Sequence, residues 1–215
     1  MAEDAAEPKG RTARDPSGTI KRIIAAAREE FGANGFDGTR MEHIARRAKV
    51  SKQLVYLYFN SKDELYSELL KVISRETYEG LLKIDFGALE PEVGVRTYIE
   101  AVYDRFQNDP VIAVVTLDQS LHDGAQIRLA PDARRMREQV WERLNAVIDR
   151  ARGTGVIGDT IDIADLEFLT VIIVSGCVSS RGMFRRYLGS QAFQEESPAF
   201  WRDYAVRTIL RALRG

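Results

Sequence analysis

Every proline in this 215-residue chain stands where an α-helix begins or has not yet begun. Pro8 and Pro16 lie in the N-terminal arm, Pro91 follows a Gly-Ala-Leu-Glu turn, Pro110 follows Asp109, Pro131 precedes Asp132, and Pro198 follows Ser197. Proline has no amide hydrogen, and the first helical turn is where that donor would go unused. Between these marks the apolar residues recur at helical spacing, so the chain reads as all-α with about nine helices. They are expected near 19–33, 40–48, 51–58, 62–83, 91–108, 110–122, 132–152, 164–188 and 198–213. Val111–Thr116 and Thr170–Val174 are rich in β-branched residues and could be strands by propensity. No hairpin turns flank them and no partner strands exist elsewhere, so both are expected to be helical. Residues 1–17 are the one low-complexity stretch and are expected to form a disordered arm.

The first helical segment carries Ile20, Ile23, Ile24, Ala27 and Phe31 on one stripe, with Lys21, Arg22, Arg28 and Glu29 away from it. Asn34-Gly35 is expected to end it, because both residues accept the left-handed conformation of a C-cap. Thr39 and Glu42 then have the spacing of a capping box, and Met41, Ile44, Ala45 and Ala48 give a short helix an apolar face. The small Ala45 and Ala48 let a second helix cross closely. Lys49-Val50 is the expected turn, Ser51 the next cap, and Ser61 with Glu64 a second capping box that opens a long helix. Two short helices at a tight turn form a helix-turn-helix, whose second helix can enter the major groove of DNA. A plain helical hairpin has the same local pattern.

Charge supports the nucleic-acid reading. The whole chain carries a formal net charge of −1, yet Lys9–Arg75 holds 14 Lys and Arg against 8 Asp and Glu. A basic N-terminal third on a mildly acidic remainder suits a chain of which one part meets a polyanion. Other classes find little support. Cys177 is the single cysteine, so no intrachain disulfide forms. Residues 1–8 lack the features of a signal peptide, and the longest apolar run is too short to span a bilayer, which points to a cytoplasmic protein. His43 and His122 are isolated in sequence, no metal-ligand spacing or nucleophile elbow is present, and no cofactor or enzymatic activity is expected. Gly153-Thr-Gly-Val-Ile-Gly158 fits a dinucleotide fingerprint in letters only, since it follows a helical segment instead of a strand.

Residues 19–70 resemble the DNA-binding domain of TetR (tetracycline-repressor-like) transcriptional regulators. The resemblance rests on Ile23–Ala27 through Phe31, Asn34–Thr39, Ile44-Ala45, Val50-Ser51-Lys52 and, most specifically, Tyr56-Leu-Tyr-Phe-Asn-Ser-Lys-Asp-Glu-Leu65. It implies that Ser51, Lys52, Gln53 and Leu54 open the recognition helix and face bases or flanking phosphates. It implies phosphate contacts for Thr39, Arg40, Tyr56 and Lys62, and a backbone contact for Tyr58. Two departures stand out. Lys49 replaces the usual glycine of the turn, where a positive φ would cost roughly 1 kcal/mol. Gln53 and Leu54 replace small residues, and they could pair with adenine and touch a thymine methyl. Lys9, Arg11 and Arg14 could reach a minor groove.

Residues 164–188 are apolar on more than one face, and residues 198–213 add further aromatic and aliphatic positions. These two helices are expected to pair with a second copy through Val171, Val178, Phe200, Trp201, Tyr204 and Ile209. A homodimer also doubles the DNA read by one short helix, giving a palindromic operator. The resemblance further implies a small-molecule effector in the C-terminal helical domain that changes the spacing of the two DNA-reading heads. Its candidate contacts are Tyr103, Phe106, Leu117, His122, Trp141, Ile172 and Ser175, for each of which a place in the core is the simpler reading. The mixture suggests a largely apolar effector. The expected organisation is an arm at 1–17, a three-helix DNA-binding domain at 18–65, and an effector-binding and dimerisation domain at 66–215. The resulting expectation is a repressor released from its operator by that effector. An all-helical carrier or enzyme with a DNA-docking module, and a non-specific architectural DNA binder, are the competing readings.

Overall fold

Five of the six prolines open helices. A computed structural model of the chain describes residues 16–188 and 197–214. Its helices are α1 (Pro16–Gly38), α2 (Met41–Arg47), α3 (Lys52–Tyr58), α4 (Lys62–Leu82), α5 (Pro91–Asn108), α6 (Pro110–Leu121), α7 (Pro131–Gly153), α8 (Ile163–Ser179), α9 (Arg181–Leu188) and α10 (Pro198–Arg214), with a 3-10 turn at Phe86–Ala88. The first helix begins at Pro16, inside the stretch expected to be arm. The rest of the arm, with Lys9, Arg11 and Arg14, lies outside the described residues. Both β-branched runs are helical, within α6 and α8.

The expected C-cap of the first helix is present as a break inside α1, where Gly35 has φ 67°. The expected capping box at Thr39 is not formed. Arg40 is the N-cap residue of α2 and makes no side-chain cap bond. Ser51 does cap α3, accepting from Leu54 N at 3.2 Å. At α4, Ser61 accepts from Glu64 N, but the Glu64 carboxylate reaches past it to Asn60 N at 2.9 Å. The clean capping box is one the sequence reading missed, Asp162 with Asp165 at the start of α8.

The helix expected over 164–188 is two helices, bent by 64° at Ser180. Ser175 Oγ bonds back to Ile172 O at 3.0 Å and Ser179 Oγ to Ser175 O at 2.7 Å. Such back-bonding competes with the helix ladder and bends it, and Gly182 follows at once. The Gly153–Gly158 loop ends α7, with Gly155 at φ 69° and Gly158 N donating to Leu213 O at 2.7 Å.

One apolar core runs through the described residues, from Ile23 and Phe31 through Leu65 and Leu69 to Ile99, Leu144 and Leu213. The expected boundary at 65/66 falls inside α4, which packs on α1 on one side and on α7 on the other. α6 also lies along α1. At this joint Arg28 of α1 bonds Glu76 of α4 at 2.6 Å and Asp109 at 2.5 Å, while Arg105 of α5 bonds Glu76 at 2.7 Å. No single described helix is long and apolar enough to cross a membrane.

Candidate nucleic-acid interface and a neighbouring cavity

α3 is a seven-residue helix held by one fully buried side chain, Val55, against α2. The other side is open. Ser51, Lys52, Gln53, Tyr56 and Leu57 are exposed, Leu57 by 74%, while Leu54 and Tyr58 are half-buried. Leu57 and Tyr56, the latter 41% exposed, are the large apolar side chains that α3 leaves uncovered. Sequence reading passed over Leu57 in favour of Leu54; the signal available was its spacing of four residues from Gln53, which places both on one face.

The turn before α3 keeps the geometry of a glycine turn despite the lysine. Lys49 has φ 55°, and Val50 N still donates to Ala45 O at 3.0 Å. Ala45 and Ala48, each 4% exposed, permit the close crossing. Lys52 forms an ion pair with Glu42 of α2 and lies 5.7 Å from the Tyr56 ring centroid. Glu42 holds the Lys52 ammonium above its ordinary pKa, so it stays charged at neutral pH. Arg40 is exposed at the start of α2.

Two expected phosphate contacts are turned inward. Thr39 is 2% exposed, and its hydroxyl donates to Glu30 O at 3.1 Å and Gly35 O at 2.7 Å. Lys62 Nζ donates to Phe36 O at 2.8 Å and Thr39 O at 3.3 Å, and sits 4.3 Å from the Phe36 ring centroid. Both side chains complete the break between α1 and α2, where backbone carbonyls need donors. Of the residues expected at the DNA, Arg40, Ser51, Lys52, Gln53 and Tyr56 are exposed, as is Leu57, while Leu54 and Tyr58 are half-buried.

None of the seven side chains expected around an effector lines the cavity found between α4, α6 and α8. Tyr103 and Phe106 are core residues, with the Tyr103 hydroxyl on Pro198 O at 3.0 Å. Leu117 and Ile172 are exposed by 57% and 51%. His122 caps α6, its Nδ1 2.8 Å from Asp118 O. Trp141 lies under Arg137, and Ser175 bonds its own helix. That cavity, of about 420 Å³, opens between α4, α6, α8 and the 123–129 loop. Leu70, Ile73, Ile112, Val115 and Val171 wall it; Gln119, Ser120, Asp123 and Arg128 supply polar groups. Val171, expected at the dimer contact, lines this cavity. Gln119 is 6% exposed and gives Nε2 to Gln126 Oε1 at 3.0 Å, while its own Oε1 is buried without a partner.

The helix that lines this cavity also touches the DNA-binding end. One turn face of α6 presents Gln119 and Val115 to the cavity, and the adjacent face presents Asp118 to Tyr66 and Phe36.

Of the expected dimer residues, Trp201 (5% exposed) and Ile209 (0%) are spent in this chain's own core. Val178 and Phe200 are half-buried and Tyr204 is 38% exposed. The exposed apolar side chains nearby are Phe168 and Ile172 on α8 and Met183, Phe184 and Tyr187 on α9.

The chain matches the profile of bacterial regulatory proteins, tetR family, over residues 23–69, and that of the tetracyclin repressor-like C-terminal domain over residues 91–209. It is 24% identical over 205 residues to the HTH-type transcriptional repressor NicS of Pseudomonas putida, covering 95% of this chain and 97% of NicS. It is 28% identical over 177 residues to the HTH-type transcriptional repressor SCO4008 of Streptomyces coelicolor, covering 82% and 87%. The crystal structure of the regulator FadR from Bacillus subtilis, solved in complex with stearoyl-CoA, has the same fold, with a TM-score of 0.61 at 17% identity over 88% of this chain and 97% of that one.

Proposed function

The chain belongs to the TetR family of bacterial regulatory proteins, and on that premise we propose that it is a homodimeric, ligand-responsive transcriptional repressor acting in the cytoplasm. Residues 18–65 read DNA, and residues 66–215 bind the effector and the second copy. The observation that carries this reading is the uncovered face of α3, where Gln53, Tyr56 and Leu57 stand out from a helix fixed by Val55. Gln53 suits adenine and Leu57 a thymine methyl, while Arg40, Lys52 and Tyr56 suit flanking phosphates. Two such helices related by a twofold axis fit half-sites about one DNA turn, roughly 34 Å, apart. The faces carrying Phe168, Ile172, Met183 and Tyr204 are the contact between copies, since apolar side chains this exposed on adjoining helices mark an interaction surface.

The 420 Å³ cavity is the effector site; its volume lies within the range of small-molecule pockets. The FadR fold holding stearoyl-CoA supports a small-molecule role for this architecture. A ligand against Val115 and Gln119 shifts α6, and α6 carries Asp118, which holds the α1 break and α4. Release then follows if the ligand binds better to the arrangement in which the heads are wrongly spaced. NicS and SCO4008, named as repressors, support the sign of the regulation. A regulator, and not an enzyme, is the role these features suit.

A gel-shift titration with a palindromic site selected from random-sequence DNA tests the reading. Loss of affinity in a Lys52→Ala, Tyr56→Phe double variant is expected; equal affinity of wild type and variant rejects the contacts. Catalytic turnover without sequence-dependent DNA binding would favour the carrier or enzyme alternative.

A further inference from the structure

We propose that the cavity between α4, α6 and α8 takes an amphipathic anion, its apolar body against Ile73, Ile112 and Val115 and its carboxylate or phosphate on Arg128 and Arg134 at the mouth. The inference rests on the reading of this cavity as the effector site and names the chemistry of its ligand. Arg128 belongs to two depressions at once: it lines the cavity and also a shallow groove with Arg134, Arg137 and Glu138. The segment Ile127–Leu129 is common to both, so the groove adjoins the cavity at that segment.

Arg128 and Arg134 are exposed and free to take an anion. Arg28, Arg75, Arg105 and Arg202 each hold a carboxylate within 3.0 Å. Among the described residues no carboxylate lies within ion-pair distance of Arg128 or Arg134, and Arg128 spends one Nη1 donor on the neighbouring Ile127 carbonyl. Arg137 stacks 5.0 Å from the Trp141 ring centroid, and its Nε is buried with no hydrogen-bond partner. A guanidinium presents a planar fork of donors matched to a carboxylate or phosphate. Asp123 on the cavity rim, Glu138 in the groove and Glu167 beside Arg137 are nearby acids, and none of them is within ion-pair distance of Arg128 or Arg134. A neutral apolar ligand would fill the wall and leave these donors as they are; an anionic head satisfies them.

The carboxylate of a free acid and the phosphates of an acyl carrier share this chemistry. Isothermal titration of the full chain, without DNA, with decanoate, decanoyl-CoA and decan-1-ol separates them. At least one of the anions should bind about tenfold or more tighter than decan-1-ol, as charge-assisted hydrogen bonds require. Tight decanoate assigns the head as a carboxylate; tight decanoyl-CoA with weak decanoate assigns it as phosphate. The exposed pair Arg128→Gln, Arg134→Gln should abolish the preference and leave decan-1-ol binding as in wild type, while Val115→Trp, which fills the cavity, should weaken all the ligands that bind. Equal binding of the alcohol and both anions, or anion affinity untouched by the arginine pair, overturns the anionic head and leaves the effector cavity standing. Binding of none of the three, or binding indifferent to Val115→Trp, overturns both.

Discussion

The Tyr66 hydroxyl donates to Asp118 Oδ2 at 2.7 Å, and that carboxylate adds a polar link to the packing of the cavity-lining helix against the DNA-binding end of the molecule. Asp118 Oδ1 accepts from Phe36 N at 3.3 Å, just beyond the break at Gly35. Tyr66 is 1% exposed and packs 4.6 Å from the Phe31 ring and 5.0 Å from the Phe36 ring. Burial first, and the Asp118 carboxylate second, push its phenol well above the ordinary tyrosine pKa, so it remains a donor across physiological pH.

Tyr66→Phe keeps the ring and deletes the bond. It should cost about 1–2 kcal/mol in urea unfolding, because the Asp118 oxygen loses its partner in a part-buried site. Operator affinity without effector should stay near that of wild type, and more effector should be needed for release. Unchanged effector response in an anisotropy competition would show that the bond takes no part in coupling.

Lys62 and Arg40 divide two roles that the sequence alone assigned alike. Lys62→Met removes the donors from Phe36 O and Thr39 O and should lower stability by about 1–2 kcal/mol, with the salt dependence of DNA binding unchanged. Arg40→Ala should leave stability near wild type and reduce the slope of log affinity against log salt by about one phosphate contact. Finding the slope change in the Lys62 variant instead would restore Lys62 to the phosphate set.

The positive φ of Lys49 makes a prediction of opposite sign. Lys49→Gly relieves a left-handed conformation worth roughly 1–2 kcal/mol, against the greater freedom that glycine brings to the unfolded chain. A net gain of about 0.5–1 kcal/mol is expected in thermal unfolding. A loss would mean that the lysine side chain supports the turn.

What could be read in the sequence were features with a fixed local geometry. Proline at a helix start, Asn34-Gly35 at a helix end and the Lys49-Val50 turn with Ser51 as the next cap each constrain only neighbours, and the structure keeps all three. Side-chain partners distant in sequence could not be read. Nothing in the letters says that Thr39 serves Glu30 O, that Lys62 folds back on Phe36, or that Trp201 and Ile209 face inward while Phe168 and Ile172 face out. The lining of the cavity could not be read for the same reason: α6 turns Val115 and Thr116, not Leu117, toward α4, and one residue of helix rotation is 100°. The bend at Ser180 was written in Ser175, Ser179 and Gly182, but small residues serve close packing equally well, and that use was assigned to them first.

Acid should loosen the joint between the two ends of the molecule. The Arg28 hydrogen bond, with a further contribution from Arg105, holds the Glu76 carboxyl below the ordinary 4.5 despite its partial burial. A carboxyl depressed in the folded state stabilises above its unfolded pKa and loses that contribution as pH falls through the lower folded value. Stability should therefore drop as pH goes below about 4.5, and Glu76→Gln should be less stable than wild type at neutral pH while losing less on acidification. Urea midpoints at pH 7, 5 and 4 check this; parallel curves would remove Glu76 from the pH response.

The central claim is that the exposed face of α3 reads a twofold-symmetric DNA site. Fluorescence anisotropy with a labelled palindrome, selected from random DNA by the wild-type chain, measures it against a scrambled duplex at the same salt. The account predicts two chains per palindrome and a preference of about a thousandfold or more over the scrambled duplex. It further predicts that a Gln53→Ala, Leu57→Ala variant loses most of that preference and keeps its weak affinity for any DNA. Equal affinity of the wild type for both duplexes, or a preference that survives the double substitution, would contradict it.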